Sequence, residues 1–146
     1  MKTELEHKLF DTYPEIFHDR KLPMSQTCMC WGIECGDGWF DLLDNLCKKV
    51  TVISKHTGII MKAQQVKEKF GTLRFYHMED VEDRKVSKKD LDVFCGIIDQ
   101  LVSYAESESE HTCEVCGSMW GKLRTEGWNV TICDECKEKR DKEKEE

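Results

Sequence analysis

Cys113-Glu114-Val115-Cys116 and Cys133-Asp134-Glu135-Cys136 are two CxxC pairs held apart by the sixteen residues Gly117 to Ile132. That spacing is the spacing of a zinc ribbon. Each CxxC forms a tight knuckle that aims two thiolates at one point. Zn²⁺ takes four such soft ligands tetrahedrally, so two knuckles close the site and leave no position for substrate. One structural Zn²⁺ on Cys113, Cys116, Cys133 and Cys136 is therefore expected. Between the knuckles, Trp120 to Arg124 and Trp128 to Thr131 read as short strands joined by Thr125-Glu126-Gly127, and Gly117 fits a knuckle position needing φ > 0.

Outward from this stretch, the 146-residue chain is long enough for one ordinary domain plus a small module. The expected division is an α+β domain over residues 1–110, the ribbon over 111–136 and a charged tail over 137–146. A charged content of 35% against 39% hydrophobic suits a water-facing fold with a modest core. No apolar run approaches membrane-spanning length, and Met1-Lys2-Thr3-Glu4-Leu5-Glu6 opens without a signal-peptide core. The expected compartment is the cytoplasm, with no membrane partner. There the nine cysteines are reduced thiols and ligands rather than disulfides, as their odd number also suggests.

The formal net charge is −7, and four thiolates around one dication make it more negative still. This disfavours non-specific nucleic-acid binding by the molecule as a whole. The charge is unevenly spread, however. Lys62, Lys67, Lys69 and Arg74 face only Glu68 in their stretch, whereas Asp99, Glu106, Glu108, Glu110 and Glu114 meet no Lys or Arg between 99 and 114. An anion site belongs in the first stretch.

Two helices are legible between these landmarks. Trp39, Leu42, Leu43, Leu46, Val50 and Ile53 recur at steps of three and four, in a helix that Asp37 can cap and that ends near His56-Thr57-Gly58. Ser87, with Asp90 three residues on, resembles a capping box opening a second helix with Leu91, Phe94, Ile98, Leu101, Val102 and Ala105 as its stripe. Residues 3–12 give a shorter helix around Leu5, Leu9 and Phe10, and Asp19 to Cys30 reads as loop. Ile59 to Met78 is strand-like, with Leu73, Phe75 and His77 on one face and Arg74 and Tyr76 on the other. Phe70-Gly71-Thr72 is either a hairpin turn or a bulge. Glu79 to Lys85 reads as a charged loop, and the tail from Lys137 is either solvated helix or disordered. The fold class that results is α+β: two long helices packed on a small antiparallel sheet, with a C-terminal zinc ribbon.

Several constellations compete for function. Trp31 to Trp39 carries three glycines in seven positions, and amides at Gly36, Asp37 and Gly38, beside Trp39, can cradle an anion at a helix N-terminus. A tight loop under two tryptophans explains the same residues. Lys67, Lys69, Arg74 and Tyr76 can present basic and aromatic groups to phosphates and bases, or be solvated lysines on a sheet. Cys28, Cys30, Cys35 and Cys47, with His18 or His56, offer a second metal site without knuckle spacing, and buried free cysteine also behaves as a small hydrophobe. Asp37 with Gln65-Val66-Lys67 faintly suggests a metal-dependent nuclease, but without the acidic pair such a site needs. Catalysis is thus the least supported reading.

With Glu34-Cys35-Gly36-Asp37-Gly38-Trp39, Gln65-Val66-Lys67-Glu68-Lys69-Phe70-Gly71-Thr72-Leu73-Arg74-Phe75-Tyr76, and two CxxC pairs flanking Leu123-Arg124 and Gly127-Trp128, the chain resembles small zinc-ribbon proteins of tailed bacteriophages and prophages. The resemblance spans nearly the whole chain and carries over only the four cysteines. It implies a role in the host cytoplasm, either handling nucleic acid or blunting a host defence by binding its protein or its nucleotide signal. The leading expectation is a non-catalytic protein that binds a nucleic acid or nucleotide through the basic strand. The alternative is an inhibitor that engages a host protein through its acidic surface, with a nuclease-like enzyme third.

Overall fold

A computed structural model describes residues 1–81 and 86–145 as a mixed α and β fold with a small sheet and four helices. The first helix, α1 (Thr3–Thr12), buries Leu9 and Phe10. Two short 3-10 turns, His18–Lys21 and Met29–Trp31, interrupt the expected loop. The periodic run after Trp39 forms α2 (Phe40–Thr57), which buries Leu43, Leu46, Cys47 and Val50 and ends on Gly58 in the left-handed conformation. Asp37 does not cap it. The Asp37 carboxylate instead accepts the Lys2 backbone N–H at 2.7 Å and pairs with the Lys2 ammonium at 3.1 Å. These contacts hold its carboxyl below the usual range.

The main sheet is ordered β1 (Ile33–Glu34), β2 (Ile59–Lys69), β3 (Thr72–Val81). β2 and β3 pair antiparallel, but β1 runs parallel to β2, with Ile33 opposite Val66 and Glu34 opposite Lys67. The sheet is therefore mixed, not purely antiparallel as expected. Parallel neighbours need a crossover, and α2 supplies it between β1 and β2. Of the two readings of Phe70-Gly71-Thr72 the hairpin turn holds and the bulge does not, because β2 ends at Lys69 and β3 begins at Thr72; a register irregularity lies elsewhere in β2. Phe70 and Gly71, at φ 56° and 82°, form the two-residue hairpin turn, while the register slips between Ala63 and Gln65. β3 runs on to Val81, so Glu79 to Val81 of the expected loop are strand; residues 82–85 lie outside the described residues.

α3 (Lys88–Ser109) starts at Ser87, whose Oγ accepts the Asp90 N–H at 3.1 Å, as the capping pattern indicated. It buries Ile98, Val102 and Ala105 and also seals the outer edge of β3. Leu73 N–H donates to Ser109 Oγ at 2.8 Å, and Phe75 N–H to the Glu106 carboxylate at 2.9 Å. An open edge is a template for further pairing, so two side chains here occupy donors that another strand would use. The core gathers Leu9, Phe17, Trp39, Leu43, Met61, Leu73 and Ile98. A second, two-stranded sheet, β4 (Lys122–Arg124) and β5 (Val130–Ile132), precedes α4 (Asp134–Glu145), so the charged stretch from Lys137 is helical. Among the described residues, no helix is long and apolar enough to cross a membrane.

Candidate metal centre and ligand cleft

The backbone builds the four-cysteine cluster before any metal is considered. Gly117 N–H donates to Cys113 O at 2.8 Å and Cys113 N–H to Ser118 O at 2.7 Å, which curls the first knuckle. Glu114 N–H donates to Thr131 O at 2.8 Å, tying that knuckle to the strand leading into the second. The four sulfurs lie within 4.8 Å of one another, and Cys116 Sγ is 3.7 Å from Cys133 Sγ. A tetrahedron with metal–sulfur bonds of about 2.3 Å sets its sulfurs about 3.8 Å apart. All nine cysteines are free thiols, so no disulfide competes for these sulfurs. Burial pushes the Cys136 thiol up, and the neighbouring thiols push it further. At Cys113 burial also acts upward, but the backbone groups of Cys116, Cys133 and Val115 outweigh it and bring the thiol down to about 7. Four thiolates this close repel one another unless a cation sits among them, so the donor set fits a metal ion.

The ribbon is seated on the glycine-rich run. Gly36 N–H donates to Glu114 Oε1 at 2.9 Å, and Gly38 N–H donates to the Glu114 carbonyl at 2.8 Å. Trp39, fully buried, donates its indole N–H to Thr112 O at 2.9 Å. Of the expected amide cradle only the Gly36 N–H meets an anion, the carboxylate of Glu114 in the same chain, while the Gly38 N–H meets a neutral carbonyl. Burial pushes the Glu114 carboxyl up, and the Gly36 N–H pulls it back only in part. Gly36, Gly38 and Trp39 are thus spent on docking the first knuckle, and Asp37 on Lys2. A Cβ at Gly38 would stand 2.1 Å from Cys113 O and 2.5 Å from Gly117 N, which explains why this position takes no side chain.

The basic strand residues do come together. Lys67 and Arg74 are opposite each other in the hairpin, Lys69 lies two residues on, and the Lys67 ammonium sits 5.8 Å from the Tyr76 ring centroid. Beside them is a cleft of about 470 Å³, lined by Lys67, Glu68, Lys69, Phe70, Gly127, Trp128 and Asn129. Phe70 is 67% exposed and Trp128 is 81% exposed. The Trp128 indole N–H reaches Glu68 at 3.3 Å, and Thr131 Oγ1 donates to Gly71 O at 2.6 Å, so the ribbon closes on the hairpin tip. Sequence reasoning missed Phe70 and Trp128 as site residues. The signal was an aromatic in a Phe-Gly turn, where Asn-Gly or Gly-Gly would be relaxed.

Other candidates are dispersed. Cys28, Cys30, Cys35 and Cys47 form no metal cluster among the described residues. Cys35 and Cys47 are buried, and burial pushes the Cys35 thiol up to about 12, as expected of core thiols. Of the acidic set, Glu106 gives its carboxylate to the β3 edge instead of to solvent. Comparison of the chain with protein-family models, curated proteins and solved structures returned no match.

Proposed function

We propose that this chain is a zinc-stabilised binding protein for single-stranded nucleic acid, with the bases stacked in the cleft between Phe70 and Trp128 and the phosphates on Lys67, Lys69 and Arg74. One structural Zn²⁺ on Cys113, Cys116, Cys133 and Cys136 holds the ribbon wall of that cleft. Zinc suits a closed four-thiolate site that asks for no redox change, whereas iron would colour the protein. The role in host cytoplasm drawn from the phage-type resemblance belongs to the same proposal.

The observation that carries this reading is the backbone of Phe70. A non-glycine residue at φ 56° costs about 1–2 kcal/mol, and an exposed aromatic side chain adds no core burial in return. Strained residues persist where the side chain has a use. Lining one cleft with Trp128, Lys67 and Lys69, Phe70 has the surroundings of a base-stacking platform. Aromatic stacking contributes about 1–3 kcal/mol per base and tolerates any sequence.

The experiment is a titration of a fluorescent single-stranded oligonucleotide into the zinc-loaded full chain. Trp128→Ala and the pair Lys67→Glu with Arg74→Glu should each weaken binding at least about tenfold. Neutralising three phosphates gives a log-log salt slope of about −2. An oligonucleotide that binds wild type and both variants equally, or binds none of them, overturns the proposal; a mononucleotide that binds as tightly would shift it to a nucleotide ligand.

A further inference from the structure

On the inner face of β3, away from the basic strip, His77 and Glu79 point toward α3, where Asp99 meets them. His77 Nδ1 lies 2.8 Å from Glu79 Oε1, and His77 Nε2 lies 3.5 Å from Asp99 Oδ1. One donor atom from each of the three residues falls within a 4.8 Å group. Their cross-strand neighbours are Ala63 for His77 and Met61 for Glu79, both fully buried, so the imidazole and the first carboxylate rise from an apolar floor. Two carboxylates against one imidazole leave the group negative even with His77 protonated.

An ordinary ion pair is the plain explanation, and it fails on one point. His77 Nδ1 and Glu79 Oε1 are both buried atoms without a hydrogen-bond partner among the described residues, although they are only 2.8 Å apart. The N–H is not aimed at the oxygen. Two polar atoms left unsatisfied at that separation are costly, unless a third body sits where both of them point. Donor atoms bound to one ion by bonds of about 2.1 Å stand about 3.0 Å apart at a right angle and about 3.4 Å apart in a tetrahedron. An imidazole gives one ion only one of its nitrogens, so of these contacts only the 2.8 Å between His77 Nδ1 and Glu79 Oε1 compares with those figures, close to the right-angle one, and Asp99 enters as the third donor of the 4.8 Å group.

We propose that His77, Glu79 and Asp99 form a second divalent-cation site, independent of the four-cysteine centre. One imidazole and two carboxylates suit a first-row ion of intermediate hardness, from Mn²⁺ to Zn²⁺, and no thiolate is required. Asp99, whose side chain is 63% exposed, places the site at the surface, so water completes the coordination. The ion bridges β3 and α3, and it offers open positions that the closed cysteine centre lacks.

Mn²⁺ tests this cleanly, because it avoids thiolates and so reports on the oxygen and nitrogen site alone. Full-length protein brought to one zinc per chain is titrated with Mn²⁺ while the spin-resonance signal of the free ion is followed. Wild type should take up one equivalent, and its Tm should rise with added Mn²⁺. His77→Ala and Asp99→Asn should each weaken uptake by about tenfold or more and abolish the Tm rise. Asp99→Asn changes only a largely exposed side chain, so its fold survives even if His77→Ala disturbs β3. Asp80→Asn, on the other face of the strand, should bind as wild type does. No stoichiometric uptake by wild type, or undiminished uptake by Asp99→Asn, overturns the site.

Discussion

The indole N–H of Trp39 donates to the backbone carbonyl of Thr112 at 2.9 Å, across seventy-three residues of chain. The bond is buried and sits one residue before the first cysteine of the cluster, so the largest fully buried side chain of the core holds the root of the four-cysteine cluster. With Gly36 and Gly38 on Glu114, it makes three polar contacts between the start of α2 and the first knuckle.

Gly38→Ala tests this seat. The added Cβ meets backbone atoms of Cys113 and Gly117, which cannot swing aside, so a loss of about 3 kcal/mol is expected in urea denaturation. Gly96→Ala is the counterpart: nothing lies within 4 Å of the new Cβ inside α3, and stability should rise by about 0.5–1 kcal/mol. Equal effects of the two would show that the seat carries no weight.

Metal analysis should return one tightly held zinc per chain. Cys133→Ser should unfold at least the ribbon, since four-thiolate sites supply about 10 kcal/mol or more of folding free energy to small modules. A serine variant that melts with wild type would mean that the knuckles stand without a metal.

Phe70→Asn should separate stability from binding. Asparagine tolerates φ near 56°, so the variant should gain about 1 kcal/mol while its oligonucleotide affinity falls. A variant that gains stability and keeps full affinity would remove Phe70 from the ligand cleft.

Alkaline pH gives a signed prediction at Cys47. Burial, and secondarily Asp44, raises its folded-state pKa, while the unfolded thiol ionises near its ordinary value of about 8.5. A raised folded pKa means that the stabilisation is fully present below the unfolded value and is lost as pH climbs toward the folded one. Stability should therefore drop by about 1.4 kcal/mol per pH unit above pH 9 from this thiol alone. Cys47→Ala should make the decline shallower by that amount, and unchanged slopes would refute the assignment.

What was legible in the sequence was local. The spacing of Leu43, Leu46 and Val50 marked α2, Ser87 with Asp90 marked the start of α3, and the paired CxxC runs marked the cluster. What was not legible depended on distant partners. Gly36-Asp37-Gly38 reads as an anion cradle, but its anion, Glu114, lies seventy-eight residues from Gly36. β1 is two residues long and exists only through its parallel neighbour, so it leaves no periodicity to read. Phe70 occupies a turn conformation its own type disfavours, and the ribbon packed on the neighbouring Gly71 is what the hairpin pattern does not disclose.

The seat on Gly36 to Trp39 also imposes an order on assembly during synthesis. The knuckles are close in sequence and can close on one another as soon as Cys136 emerges, whereas their docking must shut a loop of seventy-three residues, half of the 146-residue chain. Until then, the Trp39 indole N–H and the amides of Gly36 and Gly38 are left to water, without their partners on Thr112 and Glu114. The nascent α+β portion therefore waits, incompletely satisfied, until the stretch from Thr112 onward has been made, and the docking of the four-cysteine cluster sets how long the unfinished chain stays exposed to proteases.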